Sequence, residues 1–191
     1  ILLNDTKHVK RKVYDYYKIP KNKKMILYAP TFRRNKKSDF LGMNFKKLND
    51  FLGDEWVIGA RLHPNVLNNV KVENAIAMSD YSDMQELLAA ADILITDFSS
   101  FSFDFVYLKK PILYFLPDDE MFRAGMNDYR EIDLPFEKAF GELVYESEDA
   151  VYELEKILKN QCKPEEKFKT RMDHFFLYHD DEQCDRVYDA I

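Results

Sequence analysis

Glycine is scarce. Only 5 of the 191 residues are Gly, and they do not cluster into the glycine-rich turn with which many nucleotide-binding folds cradle a phosphate. An anion site in this chain therefore has to be built from side-chain donors and helix ends. Cysteine is scarcer still, with Cys162 and Cys184 as the only two. They lie outside any metal-ligand spacing, which excludes a disulfide scaffold and fits two free thiols in a reducing compartment. Long apolar runs are missing as well. The run Leu87–Ile95 contains Asp92 and is too short to span a bilayer. Ile1-Leu2-Leu3 passes at once into polar residues, so no signal peptide is expected.

What is present is a globular composition. Hydrophobic residues make up 46% and charged residues 32%, which excludes a disordered chain, and the length suits one domain with one large core. The net charge of −6 is unevenly spread: residues 1–72 hold 16 Lys and Arg against 6 Asp and Glu, and the rest hold 12 against 28. An acidic chain with a basic first third is a poor general nucleic-acid binder. It suits a phosphate-bearing substrate or an anionic membrane surface.

Short apolar runs alternate with longer amphipathic ones. Helical spacing predicts a helix over Asp5–Ile19, closed by Pro20. Strands are predicted at Met25–Ala29, Trp56–Leu62, Asn74–Met78, Asp92–Thr96, Pro111–Phe115 and Glu142–Tyr145. Helices are predicted near Asn44–Leu52, at Asp83–Ala90 with Ser82 or Asp80 as its cap, and from Ser99 or Ser100 to about Leu108. Three more, at Ser147–Lys159, Pro164–Phe176 and Asp181–Ala190, finish the chain. Nearly continuous apolar strands separated by helices imply an α/β fold, a Rossmann-like doubly wound parallel sheet covered on both faces. Pro117–Gly141 is too long and mixed for an ordinary connection and reads as a functional loop.

In such a sheet, ligands bind beyond the carboxyl ends of the strands. That rule selects Pro30–Lys37, His63-Pro64, Ser79-Asp80, Asp97–Ser100 and Leu116–Asp119. Asp97-Phe98-Ser99-Ser100 joins a buried strand to a helix. Its serines read either as a plain N-cap or as donors to an anion at the helix start. Pro64 restricts His63 to an extended backbone at a strand end. There the imidazole reads either as structural or as an acid and phosphate donor near neutral pH. Thr31-Phe32-Arg33-Arg34 with Lys36 and Lys37 forms a basic loop on the same face. Asp104 is expected to cap or brace the loop. His174 and His179, among Asp173, Asp180 and Asp181, lack metal spacing and read as a solvated tail.

These residues together resemble the CDP-glycerol glycerophosphotransferases that polymerise teichoic-acid and related capsule backbones. The carrying segments are Ile26-Leu27-Tyr28-Ala29-Pro30-Thr31-Phe32-Arg33, Arg61-Leu62-His63-Pro64, Asp92–Ser100 with Phe103-Asp104-Phe105, and Lys110-Pro111-Ile112. The resemblance implies the C-terminal, donor-binding half of a two-domain GT-B enzyme, with the acceptor half lying outside the chain. It implies a CDP-linked polyol donor as substrate, with no separate cofactor. No metal cluster is visible in the sequence, so metal-independent transfer is expected. It also implies a polyanionic polymer acceptor and a cytoplasmic enzyme peripheral to the inner membrane face. His63 matches the family's donor-contacting histidine and is the expected catalytic residue. Ser99 and Ser100 match its diphosphate-binding serines. Thr31, Arg33 and Asp97 are expected beside them at the diphosphate. Phe98 and Phe32 stand where the family often has Tyr and Trp, and Asp118–Phe136 matches poorly. The rival readings are a GT-B enzyme with a nucleotide-sugar donor and a nucleotide-binding module inactive without its partner domain. A receiver-like module would need acidic residues after strand one, where Pro30, Thr31 and Arg33 stand.

Overall fold

The computed structural model describes residues 6–33, 42–62, 72–126, 138–180 and 182–191. His63, Pro64, Arg34, Lys36, Lys37, Asp181 and the later part of the Asp118–Phe136 segment lie outside them.

The elements follow in the order α1 (Thr6–Tyr16), β1 (Lys24–Ala29), α2 (Phe45–Leu52), β2 (Trp56–Ala60), β3 (Ile76–Ala77), α3 (Met84–Ala90) and β4 (Ile93–Thr96). After these come α4 (Phe101–Tyr107), β5 (Ile112–Phe115), α5 (Asp119–Met121), β6 (Gly141–Val144), α6 (Ser147–Lys159), α7 (Glu166–Phe175) and α8 (Gln183–Asp189). All strand pairs are parallel, and the order across the sheet is β3-β2-β1-β4-β5-β6. This is the doubly wound arrangement expected from the sequence, with the strand order reversing direction between β1 and β4.

The strands alternate with period two, and each face has its own core. Met25, Leu27, Leu94, Ile112 and Tyr114 face one layer, packed with Val13, Leu87, Leu88, Phe105 and Met172 of α1, α3, α4 and α7. Ile26, Tyr28, Ile93, Ile95, Leu113 and Phe115 face the other, against Leu48, Leu52, Ala150 and Leu154 of α2 and α6. Burial of both faces is why these runs read as continuously apolar. At Gly141 any side chain would collide with the backbone oxygen of Ile112. The absence of a Cβ there lets β6 approach β5.

Several boundaries differ from expectation for identifiable reasons. β3 shrinks to two residues because Asn74 takes a left-handed φ of 60°, which breaks the extended run. β2 ends at Ala60, since Leu62 N–H is claimed by the Ser79 hydroxyl at 2.9 Å. The cap of α3 is neither Ser82 nor Asp80. Asp83 accepts the Glu86 N–H at 3.1 Å, in an Asp-x-x-Glu pattern, and Asp80 instead accepts the hydroxyls of Tyr16 and Tyr17. His179 does not belong to a solvated tail: its ring stacks on Tyr107 with centroids 4.4 Å apart.

Within Pro117–Gly141, residues up to Met126 form one α-helical turn running into a π-helical turn, Phe122–Met126. No helix among the described residues is long and apolar enough to cross a membrane.

Candidate functional site

The site grows from the carboxyl ends of three adjacent strands, β1, β4 and β5. Thr96 is fully buried at the end of β4, and its hydroxyl donates to the Ala29 carbonyl at the end of β1 at 2.7 Å. That bond sets the two chains at the same level where they leave the sheet. One residue on, Asp97 reaches across and accepts the Thr31 N–H at 2.8 Å. The place where β1 and β4 diverge is thus stitched by side chains after the ladder ends.

Arg33 completes the stitching. Its Nη2 lies 2.8 Å from Asp97 Oδ2. Nε and Nη2 donate to Asp118 at 3.0 and 2.9 Å, and Nη1 donates to the Thr31 carbonyl at 2.6 Å. The guanidinium carbon sits 4.8 Å from the Phe122 ring centre and 5.7 Å from that of Phe98. Those two rings are stacked, 3.7 Å apart and 1° from parallel. The Arg33 side chain is only 10% exposed, and those of Asp97 and Asp118 are 2% and 3% exposed.

A cation so deeply buried is tolerated because its N–H groups are matched by carboxylate and carbonyl oxygens. Burial pushes the Asp97 carboxyl up, opposed by Arg33 and by the Thr31 N–H. Burial also opposes the Arg33 charge, but hydrogen bonding to Asp118 and the attraction of Asp97 outweigh it and its pKa rises. Tyr28, beneath the group, is raised by burial and then by Asp97.

Beyond Asp97 the turn presents its serines. Ser99 Oγ accepts the Phe101 N–H at 3.3 Å, and its carbonyl accepts the Ser102 hydroxyl at 3.0 Å. Ser100 opens α4 with helical φ and ψ, and its hydroxyl makes no capping bond. Its side chain is exposed at the rim of the turn. The two serines thus divide: the capping role falls to Ser99, and Ser100 remains open. Asp104 does not brace the loop as expected, because it has no hydrogen bond or ion pair among the described residues. It is half-buried, and burial raises its pKa.

The structure therefore brings Thr31, Arg33 and Asp97 into contact beyond the carboxyl ends of β1 and β4, with Ser99 and Ser100 two and three residues further along the same turn. Of the loop that carries His63, it places the residues up to Leu62, held by Ser79 Oγ and by Arg61 Nη1 donating to the carbonyls of Met78, at 3.1 Å, and Ser79. Among the described residues, no cluster of three His, Cys, Asp or Glu side chains has the geometry of a metal site. Asp118 and Phe122 went unassigned in the sequence. The crevice rule did mark Leu116–Asp119, but nothing in one sequence says that Asp118 turns inward to Arg33 rather than out to water.

A family model for CDP-Glycerol:Poly(glycerophosphate) glycerophosphotransferase matches residues 1–191, the whole chain. The chain belongs to that family. It is 34% identical over 185 residues to the teichoic acid poly(glycerol phosphate) polymerase of Bacillus subtilis (strain 168), covering 91% of this chain and 24% of that protein. It is 30% identical over 192 residues to the teichoic acid poly(ribitol-phosphate) polymerase of Bacillus spizizenii (strain ATCC 23059 / NRRL B-14472 / W23), covering 96% of this chain and 30% of that protein. Among solved structures, the wall teichoic acid polymerase TagF superposes with a TM-score of 0.80 at 28% identity, over 99% of this chain and 48% of that one. The family member described here thus spans between a quarter and a half of the length of these relatives.

Proposed function

We propose that this chain is the donor-binding half of a polyol-phosphate transferase that builds a wall or capsule polymer. In this reading the turn Asp97–Ser100 receives the diphosphate of a CDP-linked polyol. The observation that carries it is the Ser100 hydroxyl, exposed at the strand-order reversal and free of capping duty. The N-terminal end of α4 begins at this turn, and its dipole favours an anion there.

Arg33 and Asp97 act here as the frame of the site. Their charges are spent on each other, on Asp118 and on Thr31, so they shape the diphosphate turn without needing to touch the ligand. Asp104 lies four residues beyond Ser100 on the same side of the helix. Its uncompensated carboxylate suits the hydroxyls of the donor.

The chemistry is in-line attack by an acceptor hydroxyl oxygen on the phosphorus that carries the polyol. The new O–P bond forms as the anhydride O–P bond breaks, CMP leaves, and the acceptor's proton passes to a base. Ser99, Ser100 and His63 stabilise the charge growing on the phosphate oxygens, and His63 is the catalytic residue of the set. The basic residues of positions 1–72 provide a surface for the polyanionic acceptor, and through it for the cytoplasmic membrane face.

Thermal shift of the protein with CDP-glycerol, CDP-ribitol and UDP-sugars tests the donor class. The reading expects stabilisation by one or both CDP-polyols and none by UDP-sugars. A response to UDP-sugars alone would replace it with sugar transfer. Transfer by His63→Ala equal to wild type would remove His63 from the mechanism.

A further inference from the structure

One guanidinium holds two carboxylates, Asp97 and Asp118, each within 3 Å of the same Nη2. The two carboxylates come from different connections of the sheet. Asp118 begins the segment after β5, and Phe122, one turn later, lies flat on Phe98 inside the serine turn. Phe122 N–H donates to the Asp118 carbonyl at 2.9 Å, which fixes the spacing between the carboxylate and the ring. The segment after β5 thus grips the turn after β4 at two points, one through Arg33 and one ring on ring.

We propose that Asp118 is a positioning residue for donor binding: through Arg33 it sets the orientation of the Asp97–Ser100 turn, and Phe122 on Phe98 is the second half of the same clamp. This rests on the reading of that turn as the diphosphate site. Neither Asp118 nor Phe122 belongs to either core, so loss of the clamp should leave the sheet in place. What changes is how well the turn is organised before the donor arrives.

The test is steady-state kinetics of the full-length protein with a CDP-polyol donor, using Asp118→Asn, Arg33→Met and the double variant, with Phe122→Leu as a milder second probe. Asn keeps the size of the side chain and an oxygen for Arg33, so the protein should still fold. Asp118→Asn is expected to raise the donor KM about tenfold, the scale of a lost charge-assisted hydrogen-bond pair, with acceptor KM unchanged. In the Arg33→Met background the same change should add nothing further, because Asp118 acts through Arg33. Phe122→Leu should raise donor KM in the same direction.

Donor KM unaltered in a folded Asp118→Asn protein, or effects of the two changes that simply multiply, would overturn the proposal. Should Ser100→Ala also leave donor KM unaltered, it is the diphosphate reading that fails. Hydrogen exchange at the Thr31 and Phe101 amides then decides the clamp by itself. Faster exchange in Asp118→Asn supports it, and unchanged exchange refutes it.

Discussion

The Asp97 carboxylate holds the Thr31 N–H at 2.8 Å, joining residues just beyond two neighbouring strands at the point where strand order reverses. A carboxylate this buried would be a liability in an ordinary loop. Here it closes a main-chain gap that no strand could close, because β1 and β4 have already parted.

The two serines of the turn should separate in mutagenesis. Ser99→Ala removes the acceptor of the Phe101 N–H and should cost about 0.5–1 kcal/mol of stability, as loss of a helix cap does. Ser100→Ala removes no capping bond, so its melting temperature should match wild type. Differential scanning calorimetry of the two variants checks this. Equal losses would mean that the turn is capped differently.

Asp97→Ala should be among the most damaging single changes at the site. It strands the Thr31 N–H and uncouples Arg33 from β4, and removing one partner from a buried ion pair costs about 3–5 kcal/mol. Asp97→Asn keeps an acceptor for Thr31 and should lose less. Urea unfolding of both variants measures the difference. An Asp97→Ala midpoint equal to wild type would show that the carboxylate is not holding the loops together.

His179 supplies a pH dependence. Burial against Tyr107 and the nearby Lys109 push its pKa below the usual histidine value, while Asp173 and Asp180 pull the other way. The folded state therefore disfavours the imidazolium. The unfolded chain takes up the proton first, so stability falls as the pH drops through about 6.5 toward the folded value. His179→Phe keeps a stacking ring and cannot titrate, so its melting temperature should fall less between pH 7 and pH 5.5 than that of wild type. Parallel pH profiles would place the titration elsewhere.

Much of the sheet was legible from the sequence because each strand is buried on both faces and reads as an unbroken apolar run, as Met25–Ala29 and Ile93–Thr96 do. Ser147–Lys159 was legible to the residue, with its acidic first turn and basic last turn. β3 was overextended because apolar content at Ile76–Met78 says nothing about the left-handed backbone of Asn74. Ser99, Ser100, Asp97, Thr31 and Arg33 were legible as neighbours through the carboxyl-end rule. Their division of labour was not. Whether a charged side chain meets ligand or frame depends on the partner that reaches it first, and for Arg33 those partners are Asp97, 64 positions away, and Asp118, 85 positions away.

The central claim is that the turn at Ser100 binds the donor's diphosphate, and isothermal titration of CDP-glycerol into wild-type and Ser100→Ala protein tests it most directly. The account predicts binding by wild type and about tenfold weaker binding by the variant, the scale of one hydrogen bond to a charged oxygen, at an unchanged melting temperature. Equal affinity in the two proteins would contradict it.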